Sequence, residues 1–288
     1  MLRIGIVGAE NSHSLAIAKT LNLEKAVPGA RVVAIWGETA ELAEKVAAEG
    51  RIPRIVKRPA ELVGLADAAV VDHRHGKFHL PAARPLLRAG MPLFIDKPFC
   101  TRLAEGRRFL AEAARRRVPV VSFGVMPLQK SFAEFRRELA GLGPLVALIT
   151  TGPADLFSKY GGVFFYGVHQ AEMLVRLAGR EASAAQVHPA GSGGTATVWF
   201  AGGLVATMNL VAGKCPGFHV TAVGEKGVLA RKIETDQHTY LTGIRSFVKM
   251  FRGGRPLYGA REILAPIAIL EALDKSLRTG RKEKLAKF

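Results

Sequence analysis

A lysine follows a short apolar segment of the chain and is itself followed by a proline. Lys97 comes after Asp96 and before Pro98, and residues 92–95 read Pro-Leu-Phe-Ile, typical of a buried strand. Proline restricts the residue before it to extended backbone conformations, which helps to hold the lysine in place. An amine held at a strand end can accept or donate a proton. We therefore predict that Lys97 is an acid/base group; a loop lysine paired with Asp96 is the alternative.

A histidine farther along the chain is the second acid/base candidate. His169 is predicted to open a helix over 168–177, after a loop rich in glycine, tyrosine and phenylalanine. Glu172 lies three residues later and therefore on the same helix face. A histidine here could transfer a proton near neutral pH. The alternative is a buried, hydrogen-bonded histidine with a structural role.

Histidines also cluster after the strand predicted at 68–72. The segment 72–79 contains Asp72, His73, His75 and His79, a mixture that can bind metal. The histidines flank the turn into a predicted helix, and no cysteine or carboxylate pattern completes a ligand set. We expect no metal ion; contacts to an anionic ligand or simple surface histidines fit the pattern better.

The beginning of the chain predicts a nucleotide-binding turn. Residues 3–7 form an apolar strand, Gly8 follows, and residues 14–23 are predicted to be helical. This order is typical of a dinucleotide-binding βαβ unit. The second and third glycine positions of that fingerprint hold Glu10 and His13. The residues of the turn are Gly8, Ala9, Glu10, Asn11, Ser12 and His13.

Short strands and helices alternate up to about residue 123. Apolar strands in such an alternation predict a parallel, doubly wound sheet. Glu38 follows the predicted second strand, 31–36, at a position suited to bind the ribose hydroxyls of an adenosine. After Gly124, helices and five strand-like runs with hairpin turns predict a mainly antiparallel sheet. The expected fold is therefore α/β, with a Rossmann-like domain at 1–123 and an α+β domain at 124–288 that ends in a helix.

Composition limits the class of protein. The 288 residues are 49% hydrophobic and 23% charged, as in globular domains, and no apolar run approaches a membrane span. The net charge of +17 is scattered along the chain, so solvated surfaces are favoured over nucleic-acid binding. We expect a cytoplasmic protein, because Cys100 and Cys215 have no metal-like spacing and no secretory leader is evident. One face of the second sheet needs a partner, which predicts a homo-oligomer.

Taken together, these motifs resemble the Gfo/Idh/MocA family of NAD(P)-dependent oxidoreductases over nearly the whole chain. Asp96-Lys97-Pro98 resembles its Glu-Lys-Pro motif. Gly161-Gly162 followed by Gly167-Val168-His169 and Glu172 resembles its second motif. His79 resembles the histidine that begins a family helix.

The resemblance implies hydride transfer between nicotinamide and a sugar, cyclitol or related hydroxy or keto compound. It implies catalytic roles for Lys97 and His169, and substrate contacts from these two residues, Tyr166 and Glu172. The cofactor contacts that it implies are the six turn residues, Glu38, His75, His79, Asp96 and Lys97. NAD is preferred, with NADP as the alternative, because Gly37-Glu38-Thr39 has no arginine for a 2′-phosphate.

Three departures from the family pattern keep a second hypothesis open. Glu10 places a carboxylate where the pyrophosphate of the cofactor normally approaches bare backbone. Phe165 replaces an aspartate four residues before His169, a position whose role Tyr166 or Glu172 could partly take over. His75-Gly76 replaces a Pro-Asn pair. The alternative is a non-catalytic relative that binds a ligand or regulates another protein.

Overall fold

The computed structural model describes residues 1–179 and 181–288, and over these ranges it contains twelve β-strands and eight α-helices. The strands are β1 Leu2–Val7, β2 Ala30–Trp36, β3 Ala68–Val71, β4 Leu93–Ile95, β5 Val120–Val121, β6 Leu145–Pro153, β7 Ala182–Ala190, β8 Gly193–Phe200, β9 Val205–Val211, β10 Phe218–Gly224, β11 Gly227–Ile233 and β12 Glu283–Lys284. The helices are α1 Ser12–Ala18, α2 Ala40–Gly50, α3 His79–Arg88, α4 Leu103–Arg116, α5 Lys130–Glu138, α6 Phe164–Ala178, α7 Leu241–Phe251 and α8 Ala260–Thr279.

The chain divides into two compact units. The first comprises residues 1–100, 104–123 and 240–260, and the second comprises 101–103, 124–239 and 261–288. Residues 240–260 thus lie in the first unit, although the sequence analysis grouped them with the second domain. The reason is packing: Phe247 of α7 stacks on Phe94 of β4 with ring centroids 4.7 Å apart. An aromatic pair of this kind adds to the free energy of burial whatever the distance along the chain.

A five-stranded parallel sheet forms the centre of the first unit. Its order is β2-β1-β3-β4-β5, and the pairs Val7–Trp36 and Val7–Val71 align the ends of β2, β1 and β3. The strands are apolar and buried because helices follow them in alternation. This confirms the predicted Rossmann-like sheet. The carboxyl ends of β1, β3 and β4 meet at one edge, so the residues that follow them become neighbours.

A seven-stranded sheet forms the second unit, in the order β11-β10-β6-β9-β8-β7-β12. Only β6 and β9 run parallel; the other neighbouring pairs are antiparallel, which confirms the mainly antiparallel prediction. Helix α6 is fastened to the sheet by Gln170, whose amide donates to Gly152 O at 3.1 Å and whose oxygen accepts from Thr150 Oγ1 at 2.9 Å. Buried side-chain hydrogen bonds of this kind fix the helix against the strands.

Two local features differ from the sequence expectations. The sequence of residues 54–56 predicts a short strand, whereas the structure has a single bridge there, between Ile35 and Ile55. The first helix continues as a π-helical segment over Lys19–Leu23.

Both cysteines are free thiols. In the described ranges we find no helix with the length and hydropathy that a membrane crossing requires.

Candidate functional site

Two aspartates and a lysine meet at the carboxyl edge of the first sheet. Asp72 directly follows β3 and is fully buried, and Asp96 directly follows β4 and is 3% exposed. Lys97 is 6% exposed, and its Nζ lies 3.3 Å from Asp96 Oδ2. The sequence analysis identified Asp96 and Lys97 but missed Asp72 as a partner of Asp96. The only sequence signal for Asp72 is that it ends a neighbouring strand.

Polar side chains from the turn after β1 and the start of α1 contact these two carboxyl groups. Asn11 Nδ2 donates to Asp72 Oδ1 at 2.7 Å and to Asp96 Oδ2 at 3.1 Å. His13 Nδ1 lies 3.1 Å from Asp96 Oδ2, and Ser14 Oγ lies 2.6 Å from Asp72 Oδ2. Asn11 is the N-cap of α1, but its side chain makes no capping bond there. Its amide is engaged with the two aspartates inside the turn, and its contact with a cofactor stays a prediction.

The two aspartates have opposite pKa shifts. Burial, and then the negative charge of Asp96, raises the pKa of Asp72 well above its ordinary value. Burial also acts to raise the pKa of Asp96, but the charges of Lys97 and then His13 outweigh it and lower that pKa. The surroundings therefore favour the ionised form of Asp96 and the neutral form of Asp72.

The donor atoms of His13, Asp72 and Asp96 lie within 4.8 Å of one another, a spacing that a metal ion could occupy. The surroundings suit hydrogen bonding better. Asp96 Oδ2 already faces the Lys97 ammonium, and the Asn11 amide donates to both carboxyl groups. A cation introduced there would meet the positive charge of Lys97 at close range. We assign no metal to this cluster.

Glu38 binds the turn from the end of β2. Its Oε2 accepts from the backbone nitrogen of Ala9 at 2.7 Å and from that of Glu10 at 3.0 Å. Its Oε1 is buried and has no hydrogen-bond partner among the described residues. A buried carboxylate oxygen without a donor is a vacant acceptor. The ribose hydroxyls of an adenosine supply the donors that it lacks, so the residues fit a dinucleotide at this position.

Gly8 permits a close approach between the turn and β3. Its φ is +119°, and a Cβ added there would lie 2.6 Å from the backbone oxygen of Asp72. Only glycine fits such a position. Glu10, two residues on, has an exposed side chain, and its backbone nitrogen serves Glu38. The carboxylate that replaces the second fingerprint glycine therefore lies at the surface of the turn, outside the buried cluster.

A tyrosine from far along the chain completes this region. The ring of Tyr240, which precedes α7, lies 4.9 Å from the ring of His13. Its hydroxyl hydrogen-bonds Ser12, while burial, and then the charge of Asp96, raises the pKa of that hydroxyl. Sequence reasoning missed Tyr240 because the helix that follows it was not recognised.

Two histidines predicted as cofactor contacts have other partners. His79 is fully buried, and its ring nitrogens face Pro98 O at 2.8 Å and His73 O at 2.7 Å. Burial lowers the pKa of His79. His79 thus links the segments that follow β3 and β4, and its cofactor contact stays a prediction. His75 accepts from the backbone nitrogen of Lys77 at 3.2 Å and caps a short 3₁₀ turn, and its cofactor contact stays a prediction.

The second unit holds the other predicted group. His169 lies in the second turn of α6, which begins at Phe164; it does not open the helix as expected. It is 6% exposed, with rings of Tyr166 at 5.9 Å and Phe218 at 5.4 Å. Tyr166 itself is 42% exposed. These aromatic neighbours hold the imidazole of His169 in place. Its catalytic role stays a prediction.

Glu172 supports the start of the second unit. Both of its carboxylate oxygens lie 2.9 Å from the backbone nitrogen of Gly124. A Cβ added to Gly124 would lie 2.4 Å from Glu172 Oε2 and 3.0 Å from His169 Nδ1. Glu172 is therefore engaged with backbone beside His169, and its contact with substrate stays a prediction.

Comparison with known proteins agrees with this geometry. Residues 2–124 match the Gfo/Idh/MocA family model, described as an oxidoreductase family with an NAD-binding Rossmann fold. The chain is 29% identical over 189 residues to the YceM protein of Salmonella typhimurium, which is named as an oxidoreductase. That match covers 63% of this chain and 58% of the relative, so it spans less than two thirds of the relative's length.

Solved structures share the fold over the full length. The scyllo-inositol dehydrogenase of Lactobacillus casei with NAD(H) and scyllo-inositol aligns with a TM-score of 0.86 at 14% identity, covering 100% of both chains. The WlbA dehydrogenase of Bordetella pertussis, solved with NADH and UDP-GlcNAcA, aligns with a TM-score of 0.83 at 18% identity, covering 100% of this chain and 99% of that one. The Rossmann unit at residues 2–124 is thus similar to the Gfo/Idh/MocA oxidoreductase family, and the unpartnered oxygen of Glu38 and the Asp-Lys-Pro motif agree with that similarity.

Proposed function

We propose that this protein is an NAD-dependent oxidoreductase acting on a hydroxyl or keto carbon of a sugar, cyclitol or related compound. The observation that carries the proposal is Lys97, a buried amine beside Asp96 at the edge of the sheet where α/β folds bind ligands. The inositol and nucleotide-sugar ligands of the structural relatives support the substrate class.

NAD supplies the hydride acceptor when it is bound. The Lys97 ammonium gives a proton to the substrate oxygen during reduction, and its deprotonated amine takes the proton of the substrate hydroxyl during oxidation. His169 is proposed to assist by orienting the substrate or sharing proton transfer, with Tyr166 and Glu172 as its neighbours. Asp96 keeps Lys97 in place through their ion pair.

The geometry of Glu38 favours NAD over NADP. The carboxylate is anchored by two backbone N–H groups, and its second oxygen is an acceptor for a ribose hydroxyl. A 2′-phosphate at the same place would meet a negative charge at contact distance. We expect NADH to bind at least about tenfold more tightly than NADPH, about 1.4 kcal/mol.

We also propose that the protein is cytoplasmic and homo-oligomeric. Two free thiols fit a reducing compartment. Val228, on the edge strand β11 of the second sheet, is 65% exposed, and a second copy would cover such an apolar surface. Size-exclusion chromatography with light scattering would measure the mass, and a monomer at micromolar concentration would contradict this proposal.

The test of activity needs two measurements. Fluorescence titration with NADH and NADPH gives the cofactor affinities. Nicotinamide absorbance with NAD and a panel of inositols, sugars and sugar acids then gives turnover. The expected result is tight NADH binding and turnover with at least one cyclic polyol. Failure of both cofactors to bind would overturn the proposed function.

A further inference from the structure

The hydrogen bonds of Ser14 indicate that a buried proton lies on Asp72. Ser14 Oγ lies 2.8 Å from the backbone oxygen of Gly8 and 2.6 Å from Asp72 Oδ2. A hydroxyl has one hydrogen, and a backbone carbonyl can only accept. When Ser14 donates to Gly8, the hydrogen between Ser14 and Asp72 must belong to the carboxyl group. A proton on Asp72 lets both contacts be full hydrogen bonds, whereas an ionised Asp72 leaves the single Ser14 hydrogen shared between two acceptors.

Asp96 has the opposite arrangement. Its Oδ2 faces three nitrogens, from Asn11 at 3.1 Å, His13 at 3.1 Å and Lys97 at 3.3 Å. Donors gathered on one oxygen stabilise the ionised carboxylate. Two ionised aspartates beside a single ammonium would leave a net buried negative charge, which is costly. One proton on Asp72 makes the group of Asp72, Asp96 and Lys97 neutral.

His13 connects this buried group with water. Its Nδ1 contacts Asp96, and its side chain is 15% exposed, whereas that of Asp72 is fully buried. The third fingerprint position, normally a small residue, therefore holds a titratable ring here. The charged and titratable groups that face the aspartate pair are His13 on α1, Lys97 beside Asp96, His79 on α3 and Tyr240 before α7.

We propose that Asp72 and Asp96 hold one proton between them, resident on Asp72, and that Asp96 passes protons between Lys97 and His13. The second half rests on the proposed function. In reduction, the Lys97 ammonium gives a proton to the substrate oxygen, Asp96 then passes the Nδ1 proton of His13 to the Lys97 amine, and Nε2 of His13 takes up a proton from water. Oxidation is the reverse and starts from the Nε2–H tautomer of His13: the Lys97 ammonium passes a proton through Asp96 to Nδ1 while Nε2 releases one to water, and the Lys97 amine then takes the proton of the substrate hydroxyl. The charges of Lys97, Asp96 and His13 are the same before and after, and exchange with water restores the tautomer of the ring. Asp72 keeps its proton throughout and leaves Asp96 as the single basic carboxylate.

The two aspartates provide a matched test of where the proton lies. The amide of Asn has the same pattern of one donating and one accepting side as a neutral carboxyl group. Asp72→Asn should therefore keep the melting temperature at pH 7 within about 2 °C of the unchanged protein. Asp96→Asn removes an ionised partner of Lys97 and should lower the melting temperature by at least about 6 °C. Equal losses in both variants would overturn the assignment of the proton to Asp72.

Infrared spectroscopy gives a direct reading of the same proton without any substrate. The carbonyl stretch of a protonated, buried carboxyl group should be present at pH 7 and absent in Asp72→Asn. Its absence in the unchanged protein would overturn the proposal. Titration with Mg²⁺ or Zn²⁺ alone checks the cluster as a cation site, and a rise in melting temperature that Asp72→Asn abolishes would overturn proton sharing as well.

The relay is tested by chemical rescue. His13→Gly should lower kcat by about tenfold or more, and added imidazole should restore at least half of the loss by entering the vacated space. A purely structural role of His13 would show no rescue. The exposed His188→Ala serves as the control and should show neither effect. Unchanged kcat in His13→Gly, or loss without rescue, would overturn the relay. If no substrate is turned over, the proposed function fails, while the thermal and infrared measurements still decide the proton position.

Discussion

Glu38 Oε2 accepts a hydrogen bond from the backbone nitrogen of Ala9 at 2.7 Å, so an acid from the end of β2 holds the turn that follows β1. These residues are 29 positions apart in the chain and are joined by the pairing of β1 with β2. The contact leaves one carboxylate oxygen for a ligand. The turn and Glu38 therefore form one structural unit.

Replacing Glu38 should weaken cofactor binding and its selectivity. In Glu38→Gln the side chain keeps one oxygen that can accept from the turn but loses its negative charge. The hydrogen bonds from the backbone nitrogens of Ala9 and Glu10 are therefore weakened. We expect the Kd for NADH to rise about tenfold and the NADH preference over NADPH to shrink, as a charged hydrogen bond is worth about 1.5–3 kcal/mol. Fluorescence titration measures both. Glu41→Gln, an exposed acid in the first turn of α2, is the control, and an equal effect there would contradict the assignment.

The carboxylate of Glu10 should oppose the cofactor pyrophosphate. Like charges about 4 Å apart in water cost about 1 kcal/mol, so Glu10→Gly should tighten NADH binding by about fivefold at low salt. The gain should shrink as ionic strength rises, because salt screens exposed charges. Titrations at two salt concentrations measure this. Weaker binding in Glu10→Gly would mean that the carboxylate makes a favourable contact with the cofactor.

Lys97→Ala should remove proton transfer while leaving cofactor affinity nearly intact. Acid/base groups contribute about 100-fold or more to turnover, so kcat should fall by at least that factor. Turnover assays and NADH titration separate the two effects, and a melting curve checks folding. The surface variant Lys45→Ala should retain full activity. Unchanged turnover in Lys97→Ala would exclude this residue from the mechanism.

The buried histidines of the first unit should make the protein sensitive to acid. Burial lowers the pKa of His73 from 6.5 to about 3, and it also lowers that of His79. Because these folded-state values lie below the unfolded value, their contribution to stability is complete above pH 6.5 and is lost as the pH falls toward 3. For each such histidine, the free energy of unfolding falls by up to about 1.4 kcal/mol per unit decrease in pH.

His73→Phe isolates one of these protons. His73 Nδ1 is buried without a partner among the described residues, and the ring packs near Trp36 and Phe78 at 5.5 and 6.0 Å. Phenylalanine keeps the aromatic packing and cannot titrate. The free energy of unfolding of His73→Phe, from denaturant curves between pH 4 and 7, should depend less on pH. An unchanged slope, equal to that of the surface control His188→Gln, would contradict the prediction.

Glu172 should stabilise the second unit through Gly124. Glu172→Ala leaves the buried N–H of Gly124 without its acceptor and should lower the free energy of unfolding by about 1–3 kcal/mol. Glu172→Gln keeps one acceptor and should lose less. Glu134→Ala, which removes an exposed partner of Arg231, should change stability by less than about 1 kcal/mol. Denaturant curves compare the three, and equal losses would argue against a special role for Glu172.

The sequence by itself determined the fold class and the main motif. Strand and helix periodicities depend on local residue types, so the alternation of the first 123 residues was sufficient to predict the parallel sheet. Lys97 could be found because its neighbours, Asp96 and Pro98, are adjacent in the chain. The family match over residues 2–124 agrees with both.

Only the tertiary structure decided which side chains meet. Asn11 reaches Asp96 across 85 positions because β3 pairs with β1 on one side and with β4 on the other. In the same packing, His79 is buried and contacts Pro98 O. Tyr240 lies beside His13 because it precedes α7, a helix that the sequence periodicity did not predict. Sequence patterns define which face of an element is buried, whereas strand order and loop paths define its neighbours. The aspartate pair, and with it the buried proton, is a property of strand order.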